Sequence, residues 1–223
     1  MPNQPDISLE EILSKVFNVN FPRQNQLART FVRFQEYFEN PVFKDKIFTL
    51  DEFKAWYMKN SPMAKKKAKF TYYGDWDGFN MPSTVFKPFY DGKFDPLSRE
   101  EIQLLDVLEP KRDNDFYVLG THGKVNIATL KHELSHALFF TNPEYRNGVL
   151  EVVKGMDPRD KSRIREFLSD VCNYHPDVWP DESQAYLLDR RCLGANGVSG
   201  KGLEIAGREI KAIFKRLYVP LSG

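Results

Sequence analysis

His132, Glu133 and His136 are the residues whose types and spacing can do chemistry in this chain; they stand in the segment His132-Glu133-Leu134-Ser135-His136. A helix turns about 100° per residue, so positions four apart project from one face. Two imidazoles placed in that way can hold one zinc ion. The carboxylate beside the first imidazole can then act as general base on a water that the ion polarises, whose pKa falls toward ~7. The segment must be helical for this to hold. Ile127, Leu130, Leu134, Ala137, Leu138 and Phe140 give it the apolar texture of a helix, and neither Pro nor Gly interrupts them. The bland alternative is a surface helix carrying a solvated histidine pair.

By these residues the chain resembles the zincin metallopeptidases. A metzincin would place Gly three residues after the second His and a further His three residues later; Phe139 and Asn142 occupy those positions. The upstream Glu-Gly-Cys companion of the peptide deformylases is missing as well. What remains is similar to the gluzincin pattern. That resemblance implies an α+β, zincin-like core with a small sheet and an active-site helix, a bound Zn²⁺, a peptide or protein substrate, and a third ligand, Glu, from a later helix.

Two glutamates compete for that role. Glu166 lies in Glu166-Phe167-Leu168-Ser169-Asp170, which looks like the thermolysin-type segment, and Glu182 lies in Asp181-Glu182-Ser183-Gln184-Ala185-Tyr186, which is similar to other gluzincins. Helical geometry separates them. The apolar face around Glu166 is Ile164, Phe167, Leu168 and Val171, and Glu166 points away from it with Arg163 and Asp170. Glu182 shares its face with Ala185, Tyr186 and Asp189, and the small Ala185 lets a neighbouring helix come close. Glu182 is the expected ligand, Glu166 the alternative. For stabilising the oxyanion of an attacked carbonyl, His175 and Tyr186 are the two groups at hand. Asp189 and Asp170 could orient the imidazoles.

The elements that must position these groups follow from periodicity. Ser8 with Glu11, ahead of Leu9, Ile12, Leu13 and Val16, reads as a capped helix. Pro22 to Glu39 reads as a second helix and Thr49 caps a third, so residues 1–65 are expected to be a helical N-terminal extension on a catalytic core from about 66 to 223, all within a single domain. Phe70 to Tyr73 and Phe116 to Leu119 read as strands, the latter ended by Gly120 and a candidate sheet edge for an extended substrate, and between them Ser98 caps a helix through about Leu108. Gly74 to Ser83 reads as an aromatic turn region. From Asn126 onward the chain is mostly helical, with one helix from about Ile127 to Phe140, a start at Asn142-Pro143, another at Asp157-Pro158 reaching about Cys172, further starts at Pro180 and Leu203, and a Gly-rich loop from Gly194 to Gly202.

Composition limits the partners. The 223 residues carry Lys+Arg 32 against Asp+Glu 31, a formal net charge of +1. That balance gives no electrostatic reason to expect nucleic acid. The run Lys65-Lys66-Lys67 is expected to be a solvated face, and the Gly-rich loop follows a helix where a phosphate loop would follow a strand. No apolar run is long enough for a membrane span, and the opening residues lack a secretory pattern, so a cytoplasmic location is expected unless a specialised system exports the chain. Cys172 and Cys192 are expected to be two buried thiols. Oligomeric state is open. The rival functional class is a non-catalytic binding or interaction protein on a zincin-like scaffold.

Overall fold

Phe17, Val19 and Phe21 alternate with Asn18 and Asn20, a period of two that suits a strand better than a helix. In the computed structural model, which describes residues 7–124, 127–172 and 174–218, this stretch is the second strand of a hairpin. Strand β1 (Ser8–Leu13) turns through Lys15, which takes φ 64°, into β2 (Val16–Phe21). The expected helix at Ser8 is therefore corrected. Its capping-box spacing is present, but β2 has a parallel partner in the sheet, and that tertiary pairing overrides the local signal. The first 65 residues accordingly supply two strands of the sheet as well as helices.

The four-stranded sheet has the order β1-β2-β4-β3, with β3 at Phe79–Pro82 and β4 at Tyr117–His122. β1/β2 and β3/β4 are antiparallel, and β2/β4 is parallel. The strand at Phe116–Leu119 is thus interior, not an edge, and continues through Gly120 to His122. Gly120 belongs inside it for a packing reason: a Cβ there would come within 2.8 Å of Leu27 and Phe31 on α1 (Gln24–Glu39). The stretch Phe70–Tyr73 is not a strand. It leads into a 3₁₀ turn at Tyr72–Gly74, where its rings join an aromatic cluster with Phe53 and Tyr57.

The two faces of the sheet bury different helices. Phe17, Val19, Phe21 and Val118 pack with Leu27, Phe31 and Phe34 of α1, joined by residues of α2 (Leu50–Asn60) and of α5 (Arg99–Leu108). Two short helices, α3 (Pro62–Lys67) and α4 (Lys87–Tyr90), complete that layer. Thr49 and Ser98 cap α2 and α5 with full capping boxes, as their spacing predicts. On the other face, Tyr117 and Leu119 pack with Leu134, Ala137 and Leu138 of α6 (Ile127–Thr141). The fold is therefore mixed α+β, with helical layers on both sides of a small sheet.

Behind α6 stand α7 (Pro143–Gly155), α8 (Pro158–Glu166), α9 (Trp179–Leu188), the short α10 (Arg191–Ala195) and α11 (Lys201–Leu217). The helix expected to run to Cys172 changes hydrogen-bond pattern after Glu166 and finishes as a π-helical turn, Phe167–Val171. Cys172 is half-buried and Cys192 exposed, both free, which corrects the expectation of two buried thiols. Among the described residues no helix is long and apolar enough to cross a membrane.

Close approach of α11 to α9 depends on Gly207, where a Cβ would stand 2.7 Å from the Leu187 carbonyl oxygen. Gly207→Ala gains helix propensity worth roughly 1 kcal/mol but pushes α11 off α9, an overpacking cost of about 1–3 kcal/mol. The expected result is a lower midpoint in thermal denaturation, and an unchanged or raised midpoint would show that the contact relaxes freely.

Candidate metal centre

The helix α6 forms as its sequence predicts and places His132 and His136 one turn apart. Their Nε2 atoms face each other at 3.3 Å. Glu182 enters from the first turn of α9, with Oε1 3.8 Å from His136 Nε2. One ligand atom from each of the three residues lies within 4.8 Å of the other two. Glu166 is elsewhere: it is exposed at the end of α8 and accepts a hydrogen bond from the Ser162 hydroxyl. Of the two glutamates weighed in the sequence, only Glu182 meets the histidines.

This donor set fits a divalent cation. Two nitrogens bound at about 2.05 Å on a tetrahedral ion are roughly 3.4 Å apart, close to the separation here. Glu182 is 2 % exposed, and its Oε2 is buried without a hydrogen-bond partner. A carboxylate oxygen removed from water without a donor costs several kcal/mol, so an orphan of this kind implies a missing positive group.

Each imidazole is held by its other nitrogen, but by acceptors that sequence reasoning did not choose. His136 Nδ1 is 3.0 Å from Asp181 Oδ1. The His132 ring donates to the Ala185 carbonyl. Behind Asp181 stands Gln184, which donates to Asp181 at 2.9 Å and accepts from the Tyr145 hydroxyl at 2.7 Å. Asp189 instead binds Arg191, and Asp170 bonds its neighbour Ser169. Asp181 could have been found: it precedes Glu182 at the start of the same helix, where both can face α6.

Glu133 is 7 % exposed and its Oε2 accepts from Asn80 Nδ2 at 2.7 Å. Asn80 lies on β3, and its Oδ1 accepts from the Tyr117 hydroxyl, which fixes the amide so that its NH₂ must face Glu133. No sequence signal marked Asn80, because β3 was concealed in an aromatic turn region. Tyr186 lays its ring against His132, with centroids 5.0 Å apart, and its hydroxyl accepts from Cys172 Sγ at 3.7 Å. His175 is engaged by its own loop, where its Nδ1 accepts from the Asp177 backbone N–H at 3.3 Å and caps the 3₁₀ turn Pro176–Val178.

Electrostatics follow from burial and mutual charge. Burial and the His136 charge pull His132 down to about 3. Burial pulls His136 down too, but the Asp181, Glu182 and Glu133 carboxylates outweigh it and hold the ring well above its usual value. Burial lifts Glu182 to about 8 and raises Glu133, against the pull of His136. Without a metal the histidine proton is thus the cation of the site. A cavity of about 520 Å³ elsewhere, between Arg29, Phe48 and Phe94, shares no residue with this group and contains neither His nor Cys.

Comparison with known proteins found no matching family model, no matching curated protein and no matching solved structure.

Proposed function

We propose that this chain is a zinc-dependent metallopeptidase with a zincin-like core, in which His132, His136 and Glu182 hold the ion and Glu133 is the general base. The observation that carries the reading is the convergence of two imidazoles and one orphaned carboxylate beside an acid whose orientation is fixed by Asn80. When bound, the zinc ion supplies Lewis acidity toward the substrate carbonyl and the attacking water. Glu133 takes the proton from that water and passes it to the departing amine. Asn80 keeps one Glu133 oxygen engaged, so the other is the one free to move a proton. Asp181 and the Ala185 carbonyl hold both imidazoles in the tautomer that presents Nε2. Tyr186 is the group the geometry brings against a ligand, so it is the better placed of the two oxyanion donors; His175 serves its loop. Of the sheet's two edges, β3 is the one beside α6, and an extended peptide would add there.

The test has two parts. Purified protein should contain about one zinc per chain. Glu133→Gln, nearly isosteric, should keep that zinc and lose peptide cleavage by about 10²–10⁴-fold. Unchanged cleavage in the variant would remove the general-base assignment. A second reading, a metal bound for stability in a non-catalytic binding protein, draws on the burial of the site, with His136 1 % exposed. It expects zinc in the wild type, no cleavage at all, and a binding function that Glu133→Gln leaves alone.

A further inference from the structure

Gln184 follows Glu182 by two residues on α9 and is 0 % exposed. Its amide meets polar groups from three helices. Nε2 donates to Asp181 Oδ1 at 2.9 Å and to Ser135 Oγ on α6 at 3.3 Å, and Oε1 accepts from the Tyr145 hydroxyl on α7 at 2.7 Å. Only one orientation of the amide satisfies all three. The Ser135 hydroxyl gives its one proton to the His132 carbonyl at 2.7 Å, so its oxygen accepts from Gln184. The Asp181 carboxylate also accepts. A flipped amide would set Oε1 against two acceptors, and Ser135 and Tyr145 are as deeply buried as Gln184, where such a mismatch is costly. The groups that the amide holds stand behind the metal ligands. Asp181 Oδ1 is 3.0 Å from His136 Nδ1, and Glu182 Oε1, from the next residue, is 3.8 Å from Nε2 of the same ring. Through Ser135 the amide also grips the turn of α6 that carries His132. Apolar packing of α6 on α9 has no direction of its own, and the amide supplies one.

We propose that Gln184 is a positioning residue of the metal centre: it holds Asp181 against His136 and keeps α9 in register with α6, while Tyr145 sets the way its amide faces. This rests on the metal-binding part of the proposed function and does not depend on peptide cleavage.

Zinc and cobalt(II), each added alone to the full chain, are the probes. Competition against a chromophoric chelator gives the zinc affinity, and the visible absorption of bound cobalt reports the geometry of the ligands. Gln184→Met, close in volume but without a donor, should bind zinc about tenfold more weakly and change the cobalt spectrum. In an Asp181→Ala background the same substitution should weaken zinc less than about threefold further, because its effect passes mainly through that carboxylate. Tyr145→Phe removes only a hydroxyl. It should move affinity and spectrum in the same direction as Gln184→Met, and it decides the matter if that variant does not fold. A side chain that served folding alone would lower the thermal midpoint of the apo chain and leave the zinc affinity and cobalt spectrum of the folded variants as in the wild type. That result overturns the positioning role and leaves the metal centre standing, as does an equal loss of affinity with and without Asp181. A wild-type chain that binds neither metal overturns the metal centre and the role of Gln184 together.

Discussion

Glu182→Gln should weaken zinc binding by about a thousandfold, whereas Glu166→Ala should bind zinc as the wild type does. The size follows from the ligand count. Apparent binding energies of structural zinc run to about 10–16 kcal/mol, so one protein ligand of three accounts for roughly 3–5 kcal/mol. Glutamine preserves volume and one carbonyl oxygen, so the loss reports the charge and the second oxygen, the one that lacks a partner here. Asp181→Asn should fall between the two, at about 10–100-fold, because it leaves all three ligands but weakens the acceptor that orients His136. Competition against a chromophoric chelator measures all of these. Loss of zinc in Glu166→Ala with Glu182→Gln unaffected would overturn the assignment. A thermal melt of each apo variant separates lost ligation from lost folding, since Glu182 sits in the first turn of α9, which packs against α6 and α11.

The metal centre was legible in the sequence to the extent that it is local. His132, Glu133 and His136 lie on one helix, and fixed helical spacing carries their geometry. Glu182 could be chosen over Glu166 because amphipathic patterning tells which face of a helix turns inward. The residue that holds Glu133 was not legible, because it reaches the site through the sheet. Asn80 arrives on β3, whose four residues are all buried and whose flanks read as turn. The N-terminal hairpin departs from its local pattern for a related reason. A capping-box spacing at Ser8 is a local signal of about 1 kcal/mol, and the pairing of β2 with β4 is a long-range one that spans six residues of register. Local rules also recovered Thr49, Ser98 and Asn142 as helix starts, where the cap itself decides the outcome.

Zinc should displace protons from this site, and its apparent affinity should climb steeply with pH. The sign comes from the shifts themselves. In the metal-free site the Asp181 carboxylate, against His136 Nδ1, keeps that ring protonated above the usual histidine range, and burial keeps Glu182 protonated up to about 8. Both must give up a proton to become ligands, whereas His132, held down near 3, is already neutral at any working pH. Between pH 6 and 7 each zinc should therefore release about two protons, and affinity should rise by up to about a hundredfold per pH unit, flattening as pH passes the value at which Glu182 ionises. Calorimetry in two buffers of different ionisation enthalpy counts the protons directly. Asp181→Asn removes one of the charges that hold the His136 proton, so that variant should release fewer protons per zinc even though it binds zinc more weakly. Weaker binding alone does not change a proton count, which makes the pair of measurements specific to the Asp181–His136 contact. Zero proton release in the wild type, or an affinity that is flat from pH 6 to 8, would mean that the histidine proton is not the cation that zinc replaces.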